Sequence, residues 1–328
     1  MNSNRDASFD ILKGIGILSV IIGHNVSFDS SLRIFIYSFH MPLFFLCAGY
    51  FLKNVSPSTQ IKKDFKRLIL PYIVVSLVLL LSSMALWLKD HGYPIISQTI
   101  LPLIWGAGGP HNEVMIFNTI QPLTQLWFLL ALFWGKLVSN ILPRHLGGVL
   151  TGIVISIVAT LVGRYVIFLP SDICEGLSAV AFIMIGVYLK DHGLNKGLLL
   201  LMLIAWIVSI TFFDLALSIC EFSNYPIQVL GATGGTIAFY YLSKLISKNR
   251  MICLVLSLFG VNSMAILCMH TIESHTIIWR FLPMPHFSIL PVVWKIGFCV
   301  IATFLLSKWK YTKELFGIVF VNYENRIT

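Results

Sequence analysis

Charge is what this sequence has least of. Of its 328 residues only 11% are charged, with 14 acids against 23 lysines and arginines, while 57% are hydrophobic and the mean hydropathy is +0.85. A water-soluble globule of this size needs a far more polar surface, so a polytopic membrane protein is expected. The net charge of +9 would suit nucleic acid, but the basic residues are dispersed between apolar runs, so no nucleic-acid partner is expected. Metal-ligand spacing is missing as well. The six cysteines (Cys47, Cys174, Cys220, Cys253, Cys268 and Cys299) mostly fall within apolar runs, where a thiol packs as a small hydrophobe, so no metal is implied. Internal repeats, an attached soluble domain and a cleavable signal before the first apolar run are also absent. The first run is therefore expected to persist in the mature chain, and residues 1–328 read as a single integral membrane domain.

Long apolar runs are what the chain has instead. Windows of about 20 residues give about ten candidate transmembrane helices: 11–28, 33–52, 68–88, 124–142, 147–169, 171–189, 197–219, 226–246, 252–271 and 288–307. The expected class is all-α. An even count puts both termini on one side, and with that side cytoplasmic, 18 of the 23 lysines and arginines collect there. Arg33, Lys89, Arg164, Arg280 and Lys295 remain outside, so the positive-inside rule selects this orientation. Cys174 and Cys220 then share the outer face, where a disulfide between them is one option.

Residues 9–52, FDILKGIGILSVIIGHNVSFDSSLRIFIYSFHMPLFFLCAGYFL, hold two such runs joined by the polar Asp29-Ser30-Ser31. They read as a helical hairpin with a histidine in each arm. His24 and His40 each lie eight positions from residue 32, about 12 Å down each helix, and so at similar depth. At 100° per residue Asp10, Lys13, Ile17, Ile21 and His24 form one stripe of the first helix, and Ser19 and Gly23 offer a small-residue face. An ionisable side chain within a span marks a functional site by default. For a lone histidine, a hydrogen bond to a neighbouring helix is the competing reading. His24 shares its stripe with Asp10 and Lys13, which favours function; His40 precedes Met41-Pro42, whose proline frees a carbonyl one turn back, so it is as well suited to a structural role.

The other polar features are sparse. SPSTQIKKDFKRLILPY (56–72) brings Lys62, Lys63, Lys66 and Arg67 to the cytoplasmic end of the third span, where they serve either anionic lipid head groups or a polyphosphate ligand. Residues 89–123 are the longest connection and expected to be external, with an apolar stretch Ile95–Trp105 broken by Pro102, then Gly106 to Pro110, His111 and Glu113; a lid or acceptor surface is one reading and a plain loop the other. Trp127 in QLWFLLALF is a site candidate or an interfacial belt aromatic. Asp172, Glu175, Asp214 and Glu221 read as solvated helix ends. GATGG (231–235) is a close helix contact and not a phosphate loop, since no strand precedes it and no lysine follows. GVNSMAILCMHT (260–271) puts Ser263 and His270 two turns apart on one face.

Taken in order, FDILKGIGILSVIIGH, FHMPLFFLCAGYF, KRLILPY, LWFLLALF and NSMAILCMH resemble the successive motifs of bacterial membrane acyltransferases of the acyltransferase-3 family, in the branch of sugar O-acetylases and the enterobacterial common antigen acetylase. The first motif carries Asp10, Lys13 and His24. One departure concerns the basic motif: many members have two arginines three apart before the proline, whereas here Lys63, Lys66 and Arg67 precede Pro71. The resemblance implies a bacterial inner-membrane enzyme that moves an acetyl or small acyl group from acetyl-CoA or another acyl-CoA to a hydroxyl of an extracytoplasmic or lipid-linked glycan, with no metal. An oligomer is compatible with it. On this reading His24 is the general base or a covalent acyl carrier. Asp10, Lys13, Lys63, Lys66 and Arg67 hold the coenzyme, and His40, Glu113, Trp127, Ser263 and His270 support the acceptor side. The competing class is a proton-coupled transporter using intramembrane histidines, which would show repeated halves and broken midplane helices.

Overall fold

A computed structural model describes residues 6–27, 30–89, 91–106, 108, 125–275 and 289–320. Glu113 and His111 lie outside the described residues. Helix α1 (Ala7–Gly23) begins where the Asp6 carboxylate accepts the Ser8 N–H at 2.8 Å, and ends with His24 as its C-cap. It packs against α12 (Tyr225–Ile246) and most extensively against α13 (Arg250–Val261). The α1–α13 crossing is set by Gly14 and Gly260: a Cβ on Gly260 would fall 1.7 Å from the Asp10 carbonyl oxygen, and one on Gly14 2.0 Å from that of Leu256. Without a side chain at either position the backbones touch, which is how helices gain packing energy where lipid supplies no hydrophobic drive.

The second apolar run is not one helix. It breaks at Ser38–Phe39 into α2 (Ser31–Tyr37) and α3 (His40–Tyr50), and the His40 Nδ1–H donates to the Ile36 carbonyl at 2.9 Å. This bond fixes the Nδ1–H tautomer of His40 and leaves Nε2 as the ring's acceptor. Helix α3 crosses α10 (Val180–His192) at Gly49 and Gly186, where added Cβ atoms would sit 1.9 Å from the Ile183 carbonyl oxygen and 2.2 Å from that of Leu46. The glycine run at 231–235 makes the expected close contact, with Gly234 nearest α11 (Lys196–Phe212): its Cβ would meet the Met202 carbonyl oxygen at 2.3 Å.

The third run is continuous from Pro57 to Lys89. Ser56 caps α4 (Pro57–Asp64), a π-helical turn occupies Phe65–Ile69, and α5 (Leu70–Lys89) follows. The expected external loop contains a helix. Residues Ile96–Ile100 form a second π turn leading into α6 (Leu101–Trp105), and this element runs back along α5. Thr99 bonds the Ser83 hydroxyl at 2.7 Å, and the Tyr72 hydroxyl donates to the Leu103 carbonyl at 2.5 Å. Thr99 and Leu103 are four residues apart, about 6 Å of helix, and the long Tyr72 side chain reaches up to the second of them. Pro102 sits at its N-terminal turn, where a missing N–H costs nothing.

Helices overlie all the apolar windows, completed by α7 (Trp127–Ile141), α8 (Leu146–Tyr165), α9 (Ile173–Ser178), α14 (Ser263–His275) and α15 (Ile289–Leu306). Among the described residues five helical stretches are long and apolar enough to cross a membrane, or six if α13 and α14, bent by 69°, count as one. The protein is a helical, multi-pass membrane protein; its strands, β1 (Leu215–Ala216) and β2 (Glu221–Phe222), make a two-residue antiparallel pair. Asn262 occupies the α13–α14 bend and is fixed from the far end of the chain. Its side chain donates to the Val319 carbonyl at 3.1 Å and accepts the Val319 N–H at 2.8 Å.

Two expectations about acids need correction. Asp172 and Glu175 are fully buried at the start of α9, not solvated. The Asp172 backbone N–H is tied to the Trp105 carbonyl at 3.1 Å, so the returning α6 covers this helix end. Glu221 instead meets Arg164 at 3.0 Å near the surface. Cys174 and Cys220 both lie against Gly163, but all six cysteines carry free thiols.

Candidate functional site

A cavity of about 350 Å³ opens among α1, α3, α4, α7 and α14. Its wall includes Lys13, Lys53, Lys63, Arg67 and Lys136 as well as His24, Gln125, Trp127 and Ser263. Lys13 and His24 are eleven residues apart on one helix, so the cavity extends at least about 16 Å from a cationic region to an imidazole. Between them the lining is apolar: Ile17 and Val20 of α1, Met41 and Phe44 of α3, Phe128 and Leu132 of α7. Charge is thereby confined to one end. Such a cavity suits an elongated ligand with an anionic group at one end and a less polar remainder.

The cationic end is built by two ion pairs. Asp10, 1% exposed, holds the Lys13 ammonium at 3.3 Å one turn on. Asp64, equally buried, accepts from both Lys136 and the Gln60 amide. Position 64 lies three residues before Arg67, where an arginine would complete the spaced pair of cations. It is an acid here, and Lys136 brings the cation to it from α7. The π turn at Phe65–Ile69 contains Lys66 and Arg67; Arg67 lines the cavity, whereas Lys66 is exposed and outside its lining.

At the other end the His24 ring lies 5.8 Å from the His270 ring, centroid to centroid, tilted by 50°. His270 and Glu273 are completely buried on α14, with Glu273 Oε2 3.6 Å from His270 Nδ1 and Lys295 Nζ 3.9 Å from the same oxygen. The neighbour of His24 in space includes His270, reached by the α13–α14 bend. Trp127 is 4% exposed, packs on Phe45 with centroids 6.4 Å apart and faces the cavity, so it is no belt aromatic.

A family model described as an acyltransferase domain matches residues 6–311. The chain belongs to the acyltransferase-3 family. No curated protein and no solved structure gives a match. Of the residues expected to serve this acyltransferase, Lys13, His24, Lys63, Arg67, Trp127 and Ser263 share the cavity. Asp10 supports Lys13 from behind, and His270 stands beside His24. His40 donates its Nδ1–H across the helix break and is not among the residues lining the cavity. Lys136, Lys53, Gln60 and Gln125 also line the acyltransferase's cavity and were not singled out by the sequence. A signal existed for Lys136 alone, a lysine interrupting the apolar WFLLALFWGKLV.

Proposed function

We propose that this acyltransferase moves an acetyl or small acyl group from acyl-CoA to a hydroxyl of an extracytoplasmic or lipid-linked glycan, at the inner membrane of a bacterium, with His24 as the general base. The observation that carries the proposal is the single cavity joining a cluster of cations to His24 over about 16 Å. An extended chain covers roughly 3.3–3.6 Å for every three bonds. The phosphopantetheine arm, with roughly thirteen bonds from phosphorus to sulfur, therefore reaches about 15 Å. With the coenzyme's phosphates on Lys13, Lys63, Arg67 and Lys136, its thioester comes to His24. If the basic end faces the cytoplasm, as the positive-inside rule requires, donor and acceptor enter from opposite sides.

The imidazole of His24 accepts the acceptor's hydroxyl proton as the oxygen attacks the thioester carbonyl carbon. The C–S bond then breaks, and the coenzyme thiolate takes the proton back from the imidazolium. General-base assistance of this kind contributes typically 10²–10⁴-fold. A covalent acyl-imidazole would use the same geometry in two steps. His270, with Glu273 and Lys295 behind it, supplies a fixed polar wall that orients the acceptor beside His24.

The test is His24→Ala in proteoliposomes given acetyl-CoA and an envelope glycan fraction. Thioester consumption should fall by at least two orders of magnitude while calorimetric coenzyme A affinity stays within about threefold. Near-normal turnover in that variant rejects His24.

A further inference from the structure

Among the described residues that line the cavity, one large apolar side chain is exposed. Phe51, the C-cap of α3, is 52% exposed, whereas the other apolar residues of the wall are buried or half-buried. It stands at the cationic end. Its ring meets that of Phe9 at 4.9 Å between centroids and that of Tyr50 at 5.3 Å, with interplanar angles of 73° and 74°. Neither neighbour is stacked parallel on it, so the phenyl is held in place with about half of the residue still open. Phe9 comes four residues before Lys13 on α1, one turn or about 6 Å nearer the start of that helix. From the level of the Phe9–Phe51 contact, α1 runs past Lys13 to His24, fifteen residues on and about 22 Å away. An open phenyl beside cations serves neither the core nor a phosphate, and water is a poor partner for it. An aromatic ligand group gains by covering it.

We infer that Phe51 is the stacking platform for the adenine ring of the acyl-CoA donor. The inference rests on the acyl-CoA reading above and places the part of the donor that the cations and His24 leave unassigned. Along the protein the order is aromatic platform, cation, apolar channel, imidazole; along the coenzyme it is base, phosphates, pantetheine arm, thioester. The two orders run in register. One ribose joins the base to the diphosphate, a step comparable to the one helical turn between Phe9 and Lys13, and the arm spans the longer stretch from Lys13 to His24. Cations alone do not tell the free coenzyme from a phosphopantetheine arm carried on a protein, since both present phosphate and the same arm. Only the free coenzyme has a base. Phe51 therefore selects the nucleotide-bearing donor. Stacking uses the face of the base, so no polar partner for the adenine edge is required.

The experiment measures binding of coenzyme A and of 4′-phosphopantetheine to the full-length protein in detergent, by calorimetry and, for the weaker ligand, by displacement. Phe51→Leu keeps an apolar side chain and removes the ring. It should weaken coenzyme A binding about tenfold, the loss of one stacked base, and leave phosphopantetheine within about twofold. Phe51→Trp should bind coenzyme A at least as tightly as wild type, and the fluorescence of its added indole, read as the difference from wild type, should be quenched by coenzyme A and by adenosine 3′,5′-bisphosphate but not by phosphopantetheine. Unchanged coenzyme A affinity in Phe51→Leu, the outcome for a side chain that merely anchors a helix end at the membrane surface, overturns the assignment. So does an equal loss for both ligands, which would make the phenyl a wall of the arm's channel. Should Phe51→Leu fail to fold, the quenching decides, and an indole that coenzyme A leaves unquenched overturns the assignment. If coenzyme A itself fails to bind wild type, the donor reading falls and takes this inference with it. Normal coenzyme A binding without the phenyl effect removes only the platform.

Discussion

Substituting Asp64 and Lys136 should have like effects on stability and unlike effects on binding, which separates the two roles of the pair. The Asp64 side chain is 2% exposed and that of Lys136 15%, and they meet across 72 residues of sequence. Removing one charge of a buried pair costs about 3–5 kcal/mol, since the survivor has been desolvated for nothing. Replacing both by neutral groups of similar size is far cheaper. Asp64→Asn and Lys136→Met should therefore each lower the thermal midpoint in detergent by several degrees, and the double variant by clearly less than their sum. Coenzyme A affinity should separate the single variants. Lys136→Met takes a cation from the cavity and should weaken binding about tenfold, whereas Asp64→Asn frees that cation for the ligand and should leave affinity equal or higher. Saturating coenzyme A should then restore part of the midpoint lost in Asp64→Asn, because ligand bound only by the folded state stabilises it. Additive midpoints would show that the pair is not coupled. Weaker binding in Asp64→Asn, matching that in Lys136→Met, would refute the placement of phosphates on Lys136.

Three further outcomes are expected. Arg67→Ala should weaken coenzyme A binding about ten- to a hundredfold by calorimetry, while Lys66→Ala, one residue away but outside the cavity, should change it less than about twofold. Gly186→Val should cost about 1–3 kcal/mol or more, read as a lowered thermal midpoint, since the Cβ alone would lie 2.2 Å from the Leu46 carbonyl oxygen; a wild-type midpoint would deny the α3–α10 contact. In a background lacking the native cysteines, a cysteine replacing the exposed Leu32 should react with an impermeant thiol reagent in intact cells and one replacing the exposed Ser58 should not. The reverse pattern inverts the membrane orientation and with it the two-sided delivery of donor and acceptor.

The parts of the site that were readable in the sequence are those whose signal is local. His24, Lys13 and Asp10 stand on one helical stripe, so periodicity alone groups them, and Lys63 and Arg67 announce themselves as charges at the edge of an apolar run. The helices were readable for the same reason: apolar length is a property of a continuous segment. What was not readable depends on contacts between distant segments or on breaks that leave composition unchanged. The hairpin symmetry that paired His24 with His40 ignored the rupture at Ser38–Phe39, and nothing local says that a bend at Asn262, held by Val319, also brings His270 to His24. Gly49 and Gly186 are single glycines 137 positions apart, unlike the run at 231–235, so their contact has no motif.

Asp64 shows how a long-range contact changes what a residue means. In the sequence it is an acid inside a basic cluster and reads as an interruption of it. In the fold it collects Lys136 from α7 and Gln60 from its own helix, so the acid recruits a cation into the cluster and holds the amide nitrogen of Gln60 toward itself. That arrangement explains why the cationic end can be strongly positive and still well folded: the lysines at its base are held by buried acids, Lys13 by Asp10 and Lys136 by Asp64, while Arg67 is left to solvent and ligand. Repulsion among the cations is relieved where the protein must pack and kept where an anion must enter.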